Sequence, residues 1–203
     1  MLNNYDNAKM VDRYHDLMKE FLDEKLYRHS LGVAEAAASL AEHYKVDAQK
    51  AFFAGIVHDY GKHYSSFELL KKAEALDISL DRFTLQEDRL LHAPIGAALL
   101  KTELQVNDSE VLRAVTYHTT GRSGMSSLEK VIYLADYIEK GRDFSGVEKI
   151  RELAYVNINQ ALLEAVEHAI KAVLDRKLLL HPRSVAFRNW LIFMIREQTC
   201  DKC

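Results

Sequence analysis

Two prolines and eight glycines in 203 residues leave this chain few places to break a helix. No segment alternates apolar and polar residues with the valine, isoleucine and threonine enrichment of a strand, so an all-helical fold is expected. Neither a linker nor a composition break, internal repeat or low-complexity segment divides the chain, and residues 1–203 are read as one domain with a substantial core. A net charge of −3 offers no basic face to extended nucleic acid. No apolar run approaches the ~18 residues of a membrane span. The stretch Met1–Asp6 also lacks the basic and apolar regions of a leader, so a cytoplasmic protein without membrane attachment is expected. Cys200 and Cys203 form a C-x-x-C that lacks two further zinc ligands, and free reduced thiols are expected there.

The most informative stretch is Gly55-Ile56-Val57-His58-Asp59-Tyr60-Gly61-Lys62. Ala48, Ala51, Phe52, Gly55 and His58 fall at helical spacing, which turns His58 inward. Asp59 is rotated about 100° from it on a helix, so both side chains reach one point only where the backbone opens. Gly61 is expected to open it as a C′ residue. An imidazole and a carboxylate facing a core need a partner side chain or a metal, because each unpaired polar group costs roughly 1–3 kcal/mol.

Along the rest of the chain, Met10, Tyr14, Leu17, Met18, Phe21 and Leu22 mark a first amphipathic helix. In the next, His29 begins a stripe continued by Val33, Ala37, Leu40 and Tyr44, and the alanines at 34, 36, 37, 38 and 41 allow a close neighbour. The small-faced Ala48–Val57 segment is that neighbour, which brings His29 toward His58. Phe67–Leu76 is helical, while Ile78–Leu85 is an irregular connection. Leu91–Gly96 reads as a helix start with Pro94 in its first turn and His92 just ahead of the apolar side. Asp108 or Ser109 caps a helix whose Val111 and Val115 share a face with His118.

The glycine-bearing loop Thr119–Gly124 precedes a helix starting at Ser126-Ser127, with Asp136 set among its apolar residues. Asp136 has either a surface partner, Lys140 at i+4, or an interior one. Beyond the Gly141–Gly146 turn, Val147–Leu180 is a helix long enough to be interrupted. The last helix, with Trp190–Ile195, is core or half of a homodimer interface. His15, His43, His63, His168 and His181 have polar neighbours and are expected to be solvated.

Four histidines, His29, His58, His92 and His118, thus end apolar helical faces, and Asp59 and Asp136 lie within or beside such faces. Imidazole with carboxylate suits iron, manganese, zinc or nickel, and six donors exceed one tetrahedral ion, so two ions fit better. Asp59 is then the natural bridge. Lys62, one turn past it, and Arg142, past Asp136, are either phosphate-holding cations or plain surface residues.

The order His29, His58-Asp59, Asp136 resembles the HD-domain metal-dependent phosphohydrolase superfamily, with His92 and His118 where its two-metal members carry further histidines. His58-Asp59-Tyr60-Gly61-Lys62, His118-Thr119-Thr120-Gly121 and the run from Tyr133 to Asp143 look more closely like the bacterial YqeK family, departing from it at Lys140, where proline is expected. The resemblance implies a helical HD bundle with its motif core at about 28–142 and further helices over 147–196. It implies symmetrical hydrolysis of diadenosine tetraphosphate to two ADP at two metal ions, iron or alternatively manganese. His29, His58, Asp59 and Asp136 would hold one ion, and Asp59, His92 and His118 the other. Asp59, Lys62 and Arg142 would be catalytic, with Lys62, His92, His118, Thr119 and Arg142 against a small dinucleoside polyphosphate or nucleotide. Another nucleotide phosphohydrolase, acting on nucleoside monophosphates, guanosine tetraphosphate or cyclic dinucleotides, is the alternative activity. A non-catalytic regulatory module is the alternative class.

Overall fold

Side-chain caps, more than glycines, set the helix boundaries. In the computed structural model, which describes residues 8–200, the order among the described residues is α1 (Ala8–Phe21), α2 (Glu24–His43), α3 (Ala48–Val57), a 3-10 turn (Tyr60–His63), α4 (Ser66–Ala75), α5 (Arg82–Gln86) and α6 (Asp88–Thr102). There follow α7 (Ser109–Tyr117), α8 (Ser127–Ile138), α9 (Val147–Ala154), α10 (Ile158–Asp175) and α11 (Pro182–Cys200). The carboxylates of Asp23, Asp47, Asp81 and Asp108 accept first-turn N–H groups of α2, α3, α5 and α7. Ser65 with Glu68, and Ser126 with Glu129, form reciprocal capping boxes on α4 and α8.

At the other ends, Lys45, Asp77 and Lys177 follow α2, α4 and α10 with φ of 56°, 51° and 52°. The N–H of the residue after each reaches back to Ala41, Ala73 and Val173, the bond pattern that usually takes glycine. Non-glycine residues thus stop helices that the glycine count suggested would run on. The interval Val147–Leu180 is accordingly two helices, broken where Asn157 accepts the N–H groups of Asn159 and Gln160. The Ile78–Leu85 connection leads into the short α5, capped by Asp81.

The small residues of α2 and α3 meet as their composition requires: a Cβ on Gly55 would lie 2.7 Å from Ala34 Cα. Around this pair pack α1, α7 and α8, burying Met18, Val33, Leu40, Phe53, Ile56, Val115 and Ile132. The ring of Phe53 meets Tyr14 edge-on at 4.9 Å. On the far side, α10 and α11 pack on each other, α10 touches α8, and Phe187 fills the space over Gly121.

Two expected starts and stops are corrected. Pro94 lies inside α6, which begins at Asp88; Glu87 makes no side-chain cap bond, so no capping signature marks that start. Gly61 is not a left-handed C′ residue, since positive φ among the glycines is confined to Gly121, Gly124 and Gly146. It sits in the 3-10 turn because a Cβ there would lie 2.3 Å from the His92 carbonyl oxygen and one on Gly96 only 3.0 Å from Gly61 N. The turn and α6 therefore touch backbone to backbone. The readings of Met1–Asp6 and of Cys200 with Cys203 rest on residues or side chains outside those described. No described helix is long and apolar enough to cross a membrane.

Candidate metal centre

Six side chains from separate parts of the chain converge at the heart of this bundle. His29 comes from α2, His58 from the end of α3, Asp59 from the link into the 3-10 turn, His92 from α6, His118 from the end of α7 and Asp136 from α8. Asp59 is fully buried and its two oxygens face opposite groups. Oδ2 lies 3.3 Å from His58 Nε2 and 3.7 Å from His29 Nε2. Oδ1 lies 3.4 Å from both His92 Nε2 and His118 Nε2, which are 3.1 Å from each other. Asp136 Oδ1 joins the first group, 3.0 Å from His29 Nε2 and 4.0 Å from His58 Nε2. The atoms of His29, His58 and Asp59, of His58, His118 and Asp136, and of Asp59, His92 and His118 form three sets compact enough to share a cation.

The ring orientations are fixed from behind. His58 Nδ1 donates to the Gly55 carbonyl and His118 Nδ1 to the Val115 carbonyl, each at 2.7 Å. A carbonyl only accepts, so in the neutral imidazoles each Nε2 presents a lone pair to the carboxylate of Asp59. Acceptors then face acceptors. His29 Nε2, His58 Nε2 and Asp59 Oδ1 are buried without a hydrogen-bond partner among the described residues, and Asp136, although close to His29, is not aligned for one. Orphaned acceptors of this kind cost roughly 1–3 kcal/mol each, and a cation at their meeting point turns that repulsion into coordination. The chain's residues therefore fit divalent metal.

Without a cation, the same groups offset one another's charge. Burial pushes the Asp59 carboxyl up, but His58, the imidazole of His118 and Lys62 outweigh it and hold the group well below its ordinary value. Asp136 is likewise driven down, burial being overcome by His29, His58 and Arg142. Burial, reinforced by His118, lowers His92 to about 3, so it stays neutral with a lone pair available. His29 is shifted upward, because Asp136 overcomes the burial that disfavours its charge.

A second carboxylate supports His29. Glu139, nearly buried, lies 3.2 Å from His29 Nδ1 through Oε1 and accepts the Gly141 N–H at 2.5 Å. Gly32 admits it: a Cβ there would be 2.8 Å from Glu139 Oε2. The turn is held by Arg151, which donates to the carbonyls of Ile138, Glu139 and Arg142. Glu139 was not read as a site residue, and its place next to the Gly141-Arg142 turn was the available signal.

The cations also land on the carboxylates. Lys62 Nζ donates to Asp59 Oδ2 at 2.6 Å, and Arg142 donates through Nη2 to Asp136 Oδ1 and through Nε to its main-chain oxygen at 2.8 Å. Lys140 is not the partner of Asp136; it is exposed and 3.7 Å from Glu35. Of the clefts that open beside the centre, two share Arg89 and Arg142. One, about 430 Å³, contains Thr119, His118, Asp136 and Arg142 and runs along α10. The other, about 800 Å³, contains His29, Lys62, His92 and Arg142. Arg89, absent from the sequence reading, lines both.

Two histidines read as solvated are not. His181 is buried, with Nε2 3.1 Å from Asp81 Oδ1. His168 is half-buried, 2.5 Å from the Tyr137 hydroxyl through Nδ1 and stacked on Phe144. His168 stands on α10 and His181 in the link between α10 and α11, and in both cases the partners come from segments distant in the chain.

An all-helical bundle that gathers four histidines and two aspartates around one point, with His58, Asp59, His92 and His118 buried and His29 and Asp136 half-buried, is the scaffold of a metal-binding protein. The chain belongs to the HD domain family, whose model matches residues 26–141. It is 40% identical over 176 residues to a symmetrical bis(5'-nucleosyl)-tetraphosphatase of Halalkalibacterium halodurans, covering 87% of this chain and 94% of that one. It is 39% identical over 175 residues to the protein of the same name from Bacillus subtilis, covering 86% and 94%. A crystal structure described as a predicted HD superfamily hydrolase involved in NAD metabolism, from Clostridium acetobutylicum, superposes with a TM-score of 0.86 at 40% identity, over 90% of this chain and 97% of that one.

Proposed function

We propose that this protein hydrolyses diadenosine tetraphosphate symmetrically to two ADP at a centre of two metal ions. The observation that carries the reading is the division of Asp59: Oδ2 faces His29 and His58, joined by Asp136, while Oδ1 faces His92 and His118. His29, His58, Asp59 and Asp136 would hold one ion, and Asp59, His92 and His118 the other. Both sets mix imidazole with carboxylate, which suits iron, our assignment, with manganese the nearest substitute. Bound there, the ions would supply an activated water and neutralise charge on phosphoryl oxygens. The names of the Halalkalibacterium and Bacillus relatives, over most of the chain, support the same activity.

The chain's own residues orient and hold. Glu139 fixes His29, and the Gly55 and Val115 carbonyls fix His58 and His118 with Nε2 inward. The partly exposed cations Lys62 and Arg142 stand at the openings of the clefts, where they balance the Asp59 and Asp136 charge and offer remaining N–H donors to phosphate oxygens. Thr119 lines the cleft beside His118 and is a candidate substrate contact.

Product chromatography with metal analysis tests the reading. Diadenosine tetraphosphate should give two ADP, and in oxygen-18 water under single turnover one of them should carry label on its terminal phosphate. AMP and ATP as first products would reject symmetrical cleavage. Turnover of nucleoside monophosphates, guanosine tetraphosphate or cyclic dinucleotides in its place would move the substrate assignment to that class.

A further inference from the structure

The cleft along α10 differs from the one over Lys62 in what it offers a ligand. It begins at His118 and Asp136 and continues between the turn after α8 and helices α10 and α11. Beyond Arg142 its walls include an apolar and aromatic side, with Phe144, Val173 and Leu180 beside His168, and a polar one with Arg176, His181 and Ser184. The rings of Phe144 and His168 are parallel within 24° at 4.5 Å, and Tyr137 packs edge-on against Phe144 at 5.1 Å. The Tyr137 hydroxyl, 2.5 Å from His168 Nδ1, fixes the imidazole in that position. A volume of about 430 Å³ falls in the range of small-ligand clefts, and an apolar wall with few polar groups is how such clefts take planar ligands. At its mouth, Arg89 and Arg142 line this cleft and the neighbouring one, so an anionic chain leaving the metal donors in either direction passes the same two guanidinium groups.

We propose that this cleft seats one nucleoside of the substrate, its base against the Phe144–His168 pair and its phosphates running past Arg142 and Arg89 to the metal donors. The proposal rests on the reading of the chain as a dinucleoside tetraphosphate hydrolase. It makes Phe144 and His168 specificity-determining residues with no part in holding metal, and Arg89 a phosphate contact. The face of α10 that lines the cleft includes Ala172, an exposed position where a large side chain fills the cleft without entering the core.

Equilibrium binding to the metal-loaded protein tests this without turnover, using ADP and inorganic tripolyphosphate as separate probes. Ala172→Trp and Phe144→Ala should each weaken ADP binding by roughly tenfold or more, the scale of a lost base-stacking contact, while tripolyphosphate binding stays within about twofold. ADP binding unchanged in Ala172→Trp would overturn the proposal. Parallel loss of both probes would overturn it as well, because the cleft would then act through the metal centre. If the wild-type protein fails to form ADP from diadenosine tetraphosphate, the functional reading fails, and the ADP titration still reports on the cleft.

Discussion

Gly61 and His92 touch through their backbones: a Cβ at Gly61 would lie 2.3 Å from the His92 carbonyl oxygen. This contact sets the distance between the turn that follows Asp59 and the helix that carries His92. Gly61→Ala should therefore push the two apart. Overpacking of this kind costs about 1–3 kcal/mol. The melting temperature should fall by about 2–4 °C per kcal/mol in a chain of this size, with metal per chain reduced. Unchanged melting and metal content would show that the turn slides past α6 freely.

Asp59→Ala should leave a helical circular dichroism spectrum and remove hydrolysis, since both donor groups share this carboxylate. Metal analysis of the same sample should show loss at both positions. Activity within about tenfold of wild type in a metal-verified preparation would end the bridging assignment.

Glu139→Gln keeps shape and an acceptor for the Gly141 N–H but removes the charge behind His29. A chelator titration should show metal affinity weakened by about ten- to a hundredfold. Equal affinity in the two proteins would reduce Glu139 to a support for the turn.

Arg142→Ala should lower kcat/KM by about ten- to a hundredfold, the scale of a charge-assisted contact of roughly 1.5–3 kcal/mol, with metal content intact. Because Arg142 also holds Asp136, metal loss in this variant would assign it to positioning that ligand instead.

Lys45→Gly tests how the helices are stopped. Lys45 is exposed and left-handed, with φ 56°. Relief of that strain, less the entropy glycine loses on folding, should stabilise the protein by about 0.5–1 kcal/mol. Thermal melting measures it, and a lowered midpoint would show that the strain is absent.

The sequence by itself determined the helical class, the close approach of α2 and α3 and the metal-type donor set. Each follows from local spacing: a 3.6-residue period decides which face a side chain shares, and that was enough to turn His29, His58 and His118 inward. Asp136 was legible as a carboxylate needing a partner, but spacing offered Lys140, while the fold supplies His29 and Arg142 from two other segments. Glu139, Arg89 and the aromatic wall of Phe144 and His168 depend on contacts across the chain, which no local period encodes. The same holds for Gly61, read as a helix stop from its lack of a side chain but required by the backbone of α6 packed against it. Local sequence fixes direction around one helix axis. Only the packing of α2, α3, α6, α7 and α8 decides which directions meet, and so which oxygen of Asp59 faces which pair of histidines.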